Sequence, residues 1–371
     1  MQPFLDLKAI NERQHKELSA AASRVITSGW YVLGEEVTAF EREFANYCGA
    51  RHCVGVASGL DALTLMLRAT ILQGRLQPGD EIVVPANTYI ATILAASSTG
   101  LVPRPVEPDA NTHNLCPQNT IAAITSRTRA IIVVHLYGLA APMGALRTIA
   151  DEHGLLLFED AAQAHGAKIS GQSLGGQSTA AAFSFYPGKN LGALGDGGAL
   201  ITEDDEIADT VHTLRNYGST QKYKNYYIGV NSRLDELQAA LLRVKLPLLD
   251  SDNARRRAIA RRYAIGINNP LVQIPEMPAD ELSHVWHLFV VRCRWRGELA
   301  AHLRNAGVGT LVHYPIPPHQ QRAYADSPLA AFQLPLTEQL ANEVLSLPIS
   351  PVMSDAATDA VITAVNAFRS K

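Results

Sequence analysis

This sequence of 371 residues has few cysteines, a small net charge and no long apolar run. Its four cysteines form no CxxC pair and lack histidines at a ligand spacing, which predicts small buried thiols in a reducing compartment rather than disulfides or a zinc site. The net charge of −3 gives no support for nucleic-acid binding. No apolar run approaches membrane-spanning length, so we expect a soluble, cytoplasmic protein with no membrane partner.

The composition instead favours a large folded core. With 47% hydrophobic residues, the chain can form one large domain and a smaller one. Strand-like runs alternate with helical patterns over 1–245, which predicts an α/β domain with a mostly parallel, doubly wound sheet flanked by helices. The chain changes character from about Leu246, and 246–371 is predicted to be a smaller α+β domain, with VWHLFVVRC as a strand and the basic run DNARRRAIARRYAI as a helix. The cationic residues of this run are interpreted as a solvated helix face, with diphosphate contact as the alternative.

The stretch between Gly154 and Gly198 carries the most chemical information. Leu155 to Glu159 is an apolar run typical of a buried parallel strand, and Asp160 follows it at the strand end, where α/β sheets bind ligands. Ala182 to Tyr186 repeats the pattern, and Lys189 follows in a Pro-Gly turn. An acid and an amine are therefore expected at the same edge of the sheet.

An isolated Asp and Lys form, in most cases, a simple salt bridge, but the surroundings here favour a cofactor site. Pyridoxal 5′-phosphate (PLP) needs an amine that condenses with its aldehyde and a carboxylate that keeps its ring nitrogen protonated, and Lys189 and Asp160 fit these roles. Gln163 is placed to bond the phenolic oxygen, and Ser184, alternating with two phenylalanines, is expected to face the phosphate. His135, at another strand end, is interpreted as structural.

The segment HCVGVASGLDALTLMLRA predicts a strand, a turn and a helix. Ser58 and Asp61 have the spacing of a capping box, so the helix is expected to begin at Gly59 or Leu60. Free amides and the positive end of the helix dipole form an anion site there. Such a helix start is by itself a common structural feature. Together with the acid and the amine, it is interpreted as the phosphate cup, in which Gly59 allows close approach and Leu60 supplies an amide.

The segments EDAAQAHG and FSFYPGKNLGALGDGG resemble those of the DegT/DnrJ/EryC1/StrS family of nucleotide-sugar aminotransferases, and the resemblance extends over nearly the whole chain. It implies a fold type I PLP enzyme that forms a homodimer with shared active sites. Tyr89 would stack on the pyridine ring, whereas its residue pattern alone also allows a buried structural tyrosine. Asn231 of GVNSR would reach the phosphate bound by the partner subunit. The residue pattern by itself indicates only that Asn231 is a turn residue beside Ser232, which is the expected N-cap of a helix.

The resemblance also implies which loops face the nucleotide sugar. Trp30 and Tyr31 lie between two glycines and either pack in the core or contact the substrate, and the resemblance favours the substrate. The loop HYPIPPHQQRAY is expected over the sugar nucleotide, with His313, Tyr314 and His319 as contacts. The two histidines lack a third ligand, so no metal is predicted.

The predicted reaction moves an amino group from an amino acid, glutamate by family analogy, to a keto sugar attached to a nucleotide. Lys189 would carry the cofactor and move protons, while Asp160 keeps the ring nitrogen charged. The phrases PFLDLKAIN, SGWYVLGEEV and ANTYIATILAA resemble enzymes that convert dTDP-3-keto-6-deoxyhexoses into dTDP-3-amino-3,6-dideoxyhexoses. Amination at C4 of a dTDP- or UDP-4-keto sugar is the alternative.

Proteins of other classes are disfavoured by particular residues. A nicotinamide-dependent sugar oxidoreductase should show GxGxxG after an early strand, where this chain has GVASGLDA. A non-catalytic regulatory or binding protein on the same fold should have lost the lysine or the acid. A PLP-dependent dehydratase of the family would have histidine in place of Lys189.

Overall fold

The computed structural model describes residues 2–370, which form an alternating series of strands and helices. The strands are β1 His52–Val56, β2 Glu81–Pro85, β3 Val102–Val106, β4 Thr128–Val134, β5 Leu156–Asp160, β6 Lys168–Ile169, β7 Gln172–Ser173, β8 Ala180–Ser184, β9 Gly198–Thr202, β10 Ser219–Gln221, β11 Lys224–Asn225, β12 Phe289–Arg292 and β13 Val344–Leu347. The helices are α1 Leu7–Glu12, α2 His15–Ser28, α3 Glu35–Cys48, α4 Gly59–Leu72, α5 Ile90–Ser98, α6 Pro117–Ala123, α7 Met143–Glu152, α8 Asp205–Leu214, α9 Glu236–Lys245, α10 Leu249–Gly266, α11 Arg296–Asn305, α12 Pro335–Glu343 and α13 Asp355–Ala367. None of these helices is both long and apolar enough to cross a bilayer.

A seven-stranded sheet with the order β1-β9-β8-β5-β4-β2-β3 organises the larger part of the chain. Strand β9 runs antiparallel to both β1 and β8, and the remaining neighbours are parallel. The prediction of a mostly parallel mixed sheet is therefore confirmed. Because β5 and β8 are adjacent and parallel, with Asp160 opposite Ala182, their carboxyl ends lie at the same edge.

The two strands that lead to the site differ slightly from the predicted runs. Strand β5 begins at Leu156, one residue later than the predicted run, and ends on Asp160. Strand β8 ends at Ser184, before the predicted end at Tyr186. It ends there because the chain turns, with the Lys189 N–H donating to the Tyr186 carbonyl at 2.8 Å.

Both faces of the sheet are covered, which explains why most of its strand residues are apolar and buried. On one face, β-strand residues such as Phe158 pack with Leu63 and Met66 of α4. On the other face, Phe183 packs with Phe44 of α3 and with residues of α9. Burial on two sides makes these strands rigid supports for the groups at their ends.

A second hydrophobic core lies within residues 259–368 and is built on the antiparallel pair β12 and β13. The expected strand VWHLFVVRC begins only at Phe289, since Trp286 has a positive φ of 47° that interrupts extended backbone. The start of the chain joins this region: the Gln2 N–H donates to the Gly307 carbonyl at 2.8 Å. The division at 245/246 remains a prediction.

The basic helix α10 is not the uniformly solvated face that its composition suggested. Arg256 is 3% exposed and donates to the Ile349 carbonyl at 2.9 Å, so it connects α10 to the chain near β13. Arg262 pairs with Asp359 of α13 at 2.6 Å. The interpretation is therefore wrong for Arg256, because its guanidinium meets carbonyls of the second core instead of water.

Candidate active site

Asp160 and Lys189 form the centre of the site at the end of β5 and β8. Asp160 is 6% exposed, and burial raises the pKa of its carboxyl, with the Lys189 ammonium among the groups that oppose this effect. Burial lowers the pKa of Lys189 to about 8, against the influence of the Asp160 carboxylate. The two groups therefore interact electrostatically, as the sequence predicted. The lysine also becomes easier to deprotonate than an exposed one.

Two threonines that the sequence analysis missed support Asp160. The Thr92 hydroxyl of α5 donates to Asp160 Oδ2 at 2.8 Å, and the Thr88 hydroxyl lies 2.8 Å from that of Thr92. Asp160 Oδ1 accepts a longer hydrogen bond, 3.2 Å, from the Ala162 N–H. The available signal was a pair of hydroxyl residues one helical turn apart, just after the end of β2.

The helix start that was predicted to bind the phosphate lies where the sequence placed it, at the beginning of α4. The helix begins at Gly59, and Ser58 Oγ accepts from the Asp61 N–H at 3.1 Å, which confirms the expected cap. The first amides of a helix have no partner within it, so those of Gly59 and Leu60 can bind an anion. A Cβ at Gly59 would lie 2.6 Å from Ser184 Cβ, so the absence of a side chain lets the two elements touch.

Ser184 points to the site, as its alternation with phenylalanines predicted. Phe183 and Phe185 are buried on the opposite face, where both rings pack edge-on against Phe44 with centroids 5.1 and 5.3 Å away. Ser184 is only partly buried and faces the start of α4. Its Oγ accepts from the Tyr186 N–H at 3.3 Å and lies 3.2 Å from the position that a Cβ at Gly59 would take.

Gln163, Tyr314 and Tyr89 form a connected group beside Asp160. Gln163 Oε1 accepts from the Tyr137 N–H at 2.6 Å, while Gln163 Nε2 donates to the Tyr314 hydroxyl at 2.9 Å. The Tyr314 and Tyr89 rings lie with centroids 5.1 Å apart. Tyr89 is 52% exposed, so a fully buried structural tyrosine is excluded and its ring is open to a ligand.

The two histidines of the 313–324 loop have different surroundings. His313 Nδ1 lies 2.8 Å from Ser346 Oγ, and burial, followed by the Lys189 ammonium, lowers the pKa of His313 to about 4. This places His313 within electrostatic reach of the lysine. His319 is 5% exposed and pairs with Glu338 at 3.1 Å, so the structure leaves little of its ring available to a ligand.

Trp30 and Tyr31 do not pack in the core. Their exposed fractions are 60% and 55%, which makes the core-packing alternative wrong. The loop is nevertheless fixed, because Trp30 Nε1 donates to the Val32 carbonyl at 2.8 Å and the Glu236 N–H donates to the Tyr31 carbonyl at 3.1 Å. Substrate contact by the two rings stays a prediction.

Asn231 is exposed, and its neighbour Ser232 is not the helix cap that the sequence suggested. Helix α9 begins later, at Glu236. Ser232 Oγ instead donates to Asp61 Oδ2 at 2.8 Å and accepts from the Ala57 N–H at 3.1 Å. The hydroxyl is therefore used to attach the GVNSR segment to the start of α4, and the exposed Asn231 precedes this attachment and pairs through its backbone with Asn216.

His135 has the structural role that was predicted. Its Nδ1 accepts from the Ala141 N–H at 3.0 Å, so its Nε2 carries the proton and donates to Glu159 Oε2 at 2.9 Å. Both side chains are completely buried. With both ring nitrogens engaged, His135 has no nitrogen left for a substrate.

The residues of this site fit PLP. The backbone cradle at Gly59 accepts a phosphate, Asp160 can face a ring nitrogen, and Lys189 supplies an amine of lowered pKa for the aldehyde. A fold type I PLP enzyme is the class that this sheet and these groups define together.

Comparison with known proteins narrows this class. The model of the DegT/DnrJ/EryC1/StrS aminotransferase family matches residues 12–366, and the chain belongs to this family. A dTDP-3-amino-3,6-dideoxy-alpha-D-galactopyranose transaminase of Aneurinibacillus thermoaerophilus is 54% identical over 99% of both chains. A dTDP-3-amino-3,4,6-trideoxy-alpha-D-glucose transaminase of Streptomyces venezuelae is 52% identical over 98% of this chain and 95% of its own.

A solved structure with the same fold supports the cofactor. Ntda from Bacillus subtilis, crystallised with bound cofactor PMP, has 30% sequence identity and a TM-score of 0.90 over 98% of this chain and 84% of its own. The protein is therefore a PLP-dependent aminotransferase, and the oxidoreductase and non-catalytic alternatives are set aside.

Proposed function

We propose that this enzyme transfers an amino group from glutamate to C3 of a dTDP-3-keto-6-deoxyhexose, forming a dTDP-3-amino-3,6-dideoxyhexose. The reaction type is inferred from one observation: Lys189 and Asp160 converge beside the cup at Gly59. The names of the two relatives, both of which are transaminases for dTDP-3-amino sugars, support C3 and the dTDP carrier.

When bound, PLP supplies an aldehyde that takes up the amino group and a ring that withdraws electrons from the reacting carbon. Asp160 holds a proton at the ring nitrogen and keeps the ring charged, because its carboxylate is supported by Thr92. The Gln163 amide has two N–H donors, of which one binds Tyr314. The second is available for the phenolic oxygen, and the open face of Tyr89 can cover the ring.

Lys189 moves the protons. An amine with a pKa of about 8 is partly neutral near physiological pH, so its Nζ can accept the α-proton of the amino donor. Nζ would then pass this proton to C4′ of the bound cofactor, and in the second half of the cycle it would take a proton from C4′ and deliver it to the sugar carbon that carries the new nitrogen. Enclosure of the amine also limits its access to water, which favours proton transfer between C4′ and the substrate carbon in each half of the cycle over exchange with solvent.

A homodimer with shared sites is part of the proposal. Several large hydrophobic side chains in the stretch just before Asn231 are highly exposed in the single chain; they are Tyr217, Tyr223, Tyr226 and Ile228, with exposed fractions of 52%, 88%, 61% and 91%. Such a concentration of exposed apolar surface is typical of an interaction site. A second copy would cover it and bring Asn231 to the neighbouring cup.

Mixing two defective variants tests the shared site. Lys189→Ala and Asn231→Ala, unfolded together and refolded as heterodimers, should regain about one quarter of wild-type activity, because half of the dimers then contain one site without either change. Each variant refolded alone is the control. Activity no higher than the average of the two controls would show that both residues serve the same subunit's site.

The substrate is tested by incubating the enzyme with glutamate and either dTDP-3-keto- or dTDP-4-keto-6-deoxyhexose, and by locating the new nitrogen with NMR. We expect amination at C3 and none with Lys189→Ala. Nitrogen at C4 would assign the enzyme to the C4 aminotransferases. Turnover by Lys189→Ala at the wild-type rate would refute the mechanism.

A further inference from the structure

The Asp160 carboxylate receives unequal support from its two sides. Oδ2 accepts a hydrogen bond of 2.8 Å from the Thr92 hydroxyl, whereas Oδ1 accepts only the 3.2 Å bond from the Ala162 N–H. The Ala162 bond joins neighbours in sequence and is a consequence of the turn after β5. Thr92 comes from a different element, α5, so it is the contact that fixes the direction of the carboxylate across the site.

The donor direction of this contact depends on the ionisation of Asp160. An ionised carboxylate only accepts, so the Thr92 hydrogen must point to Oδ2. The oxygen of Thr92 can then accept from the Thr88 hydroxyl, 2.8 Å away. Thr88 and Thr92 are 2% and 0% exposed, so water is not available to replace either donor.

A helical threonine commonly satisfies its hydroxyl by bonding to the carbonyl one turn earlier. Thr70, equally buried in α4, does so with the Met66 carbonyl at 2.8 Å. Thr92 instead directs its hydrogen out of its helix to Asp160. The two threonines thus have the same burial but different partners, which makes Thr70 a matched control.

We propose that Thr92, supported by Thr88, is a positioning residue that keeps Asp160 ionised and aimed at the ring nitrogen of the cofactor. The inference rests on the role of Asp160 in the proposed function and assigns a new role to the first turn of α5. Burial raises the pKa of Asp160, and the Thr92 hydrogen bond is the largest of the effects that oppose it. Removing the hydroxyl would leave a buried anionic oxygen without its stronger donor.

The first measurement uses the enzyme without cofactor. Infrared difference spectra of protein labelled with ¹³C-aspartate, assigned by Asp160→Asn, report the protonation of this carboxyl as a function of pH. Thr92→Val should raise its apparent pKa by about one unit or more, since a hydrogen bond to a buried charge contributes that much. Thr92→Ser should restore the wild-type titration, and Thr88→Val should give a smaller rise. Thr70→Val should leave it unchanged.

The second measurement uses the enzyme with cofactor. Thr92→Val should weaken PLP binding about tenfold and lower kcat with little change in KM, because the substrate-binding loops are untouched. Circular dichroism confirms folding, and Thr88→Val gives the same test if Thr92→Val does not fold. A wild-type Asp160 titration in a folded Thr92→Val enzyme would overturn the inference. That result is independent of which sugar is aminated, so it cannot be confused with failure of the proposed substrate.

Discussion

The close contact between Gly59 and Ser184 makes Gly59→Ala a sharp test of the phosphate cup. The added Cβ would lie 2.6 Å from Ser184 Cβ and 3.1 Å from Ser184 Cα. The second distance involves backbone, so rotation of the serine side chain cannot relieve the overlap. Helix α4 and strand β8 must therefore move apart, which displaces the amides of Gly59 and Leu60.

Two opposing effects decide the size of the change in stability. Overpacking of a well-packed contact costs about 1–3 kcal/mol, whereas alanine in place of a helical glycine returns about 0.5–1 kcal/mol. We therefore expect the enzyme without cofactor to lose about 1 kcal/mol of unfolding free energy. The displaced amides should also weaken PLP binding about tenfold.

Urea unfolding and absorbance titration with PLP measure the two effects, and pyridoxal, which lacks the phosphate, identifies the group concerned. Gly59→Ala should reduce affinity for PLP much more than affinity for pyridoxal. Gly144→Ala is the matched control, because Gly144 is near the start of α7 and its Cβ would meet no atom within 4 Å. It should be stabilised and bind PLP normally. Unchanged PLP affinity in Gly59→Ala would refute the assignment of the cup.

Three further predictions concern the lysine and the supports of the site. Burial lowers the pKa of Lys189 from 10.5 to about 8, so between these pH values the unfolded chain binds more protons and the contribution of this lysine to stability rises with pH. Without cofactor, Lys189→Met should therefore be more stable than the wild type by about 2 kcal/mol at pH 7, and the difference should become smaller towards pH 10. Urea unfolding at several pH values measures this difference, and a difference that does not change with pH would contradict the prediction. Glu236→Gln should lose about 2 kcal/mol, because its buried carboxylate accepts from the amides of Gly34, Glu36 and Val37 at the start of α3; thermal unfolding at matched pH checks it. Ser232→Ala should lower the free energy of unfolding by about 1–2 kcal/mol, because it leaves the Ala57 N–H unpaired, and it should also weaken PLP binding. Ser251→Ala, the control, removes an exposed hydroxyl and should change neither quantity.

Local patterns were sufficient where the cause of a feature lies within a few residues. The cap at Ser58, the start of α4 at Gly59 and the inward direction of Ser184 all follow from hydrogen bonding or alternation along a single element, and the structure confirms each of them. His135 was likewise recognised as structural.

Features that depend on elements distant in sequence were missed or wrong. Ser232 has the residue type of a helix cap, but its hydroxyl is taken by Asp61, 171 positions away. Arg256 lies in a run that reads as solvated, and only the approach of the second core buries it. The spacing of Thr88 and Thr92 did not reveal the role of Thr92, because its partner, Asp160, is on strand β5, 68 residues away.

The amino-acid sequence by itself determined the chemistry of this protein: an amine and a carboxylate after buried strands and an anion-binding helix start are consequences of residue type and local periodicity. The tertiary structure alone decided the order of the strands, the antiparallel direction of β9 and the threonine support of Asp160. These features arise from burial against distant parts of the chain, which neither propensity nor spacing encodes. The same burial sets the pKa of Lys189, so the reactivity of the site belongs to the fold as much as to the residue.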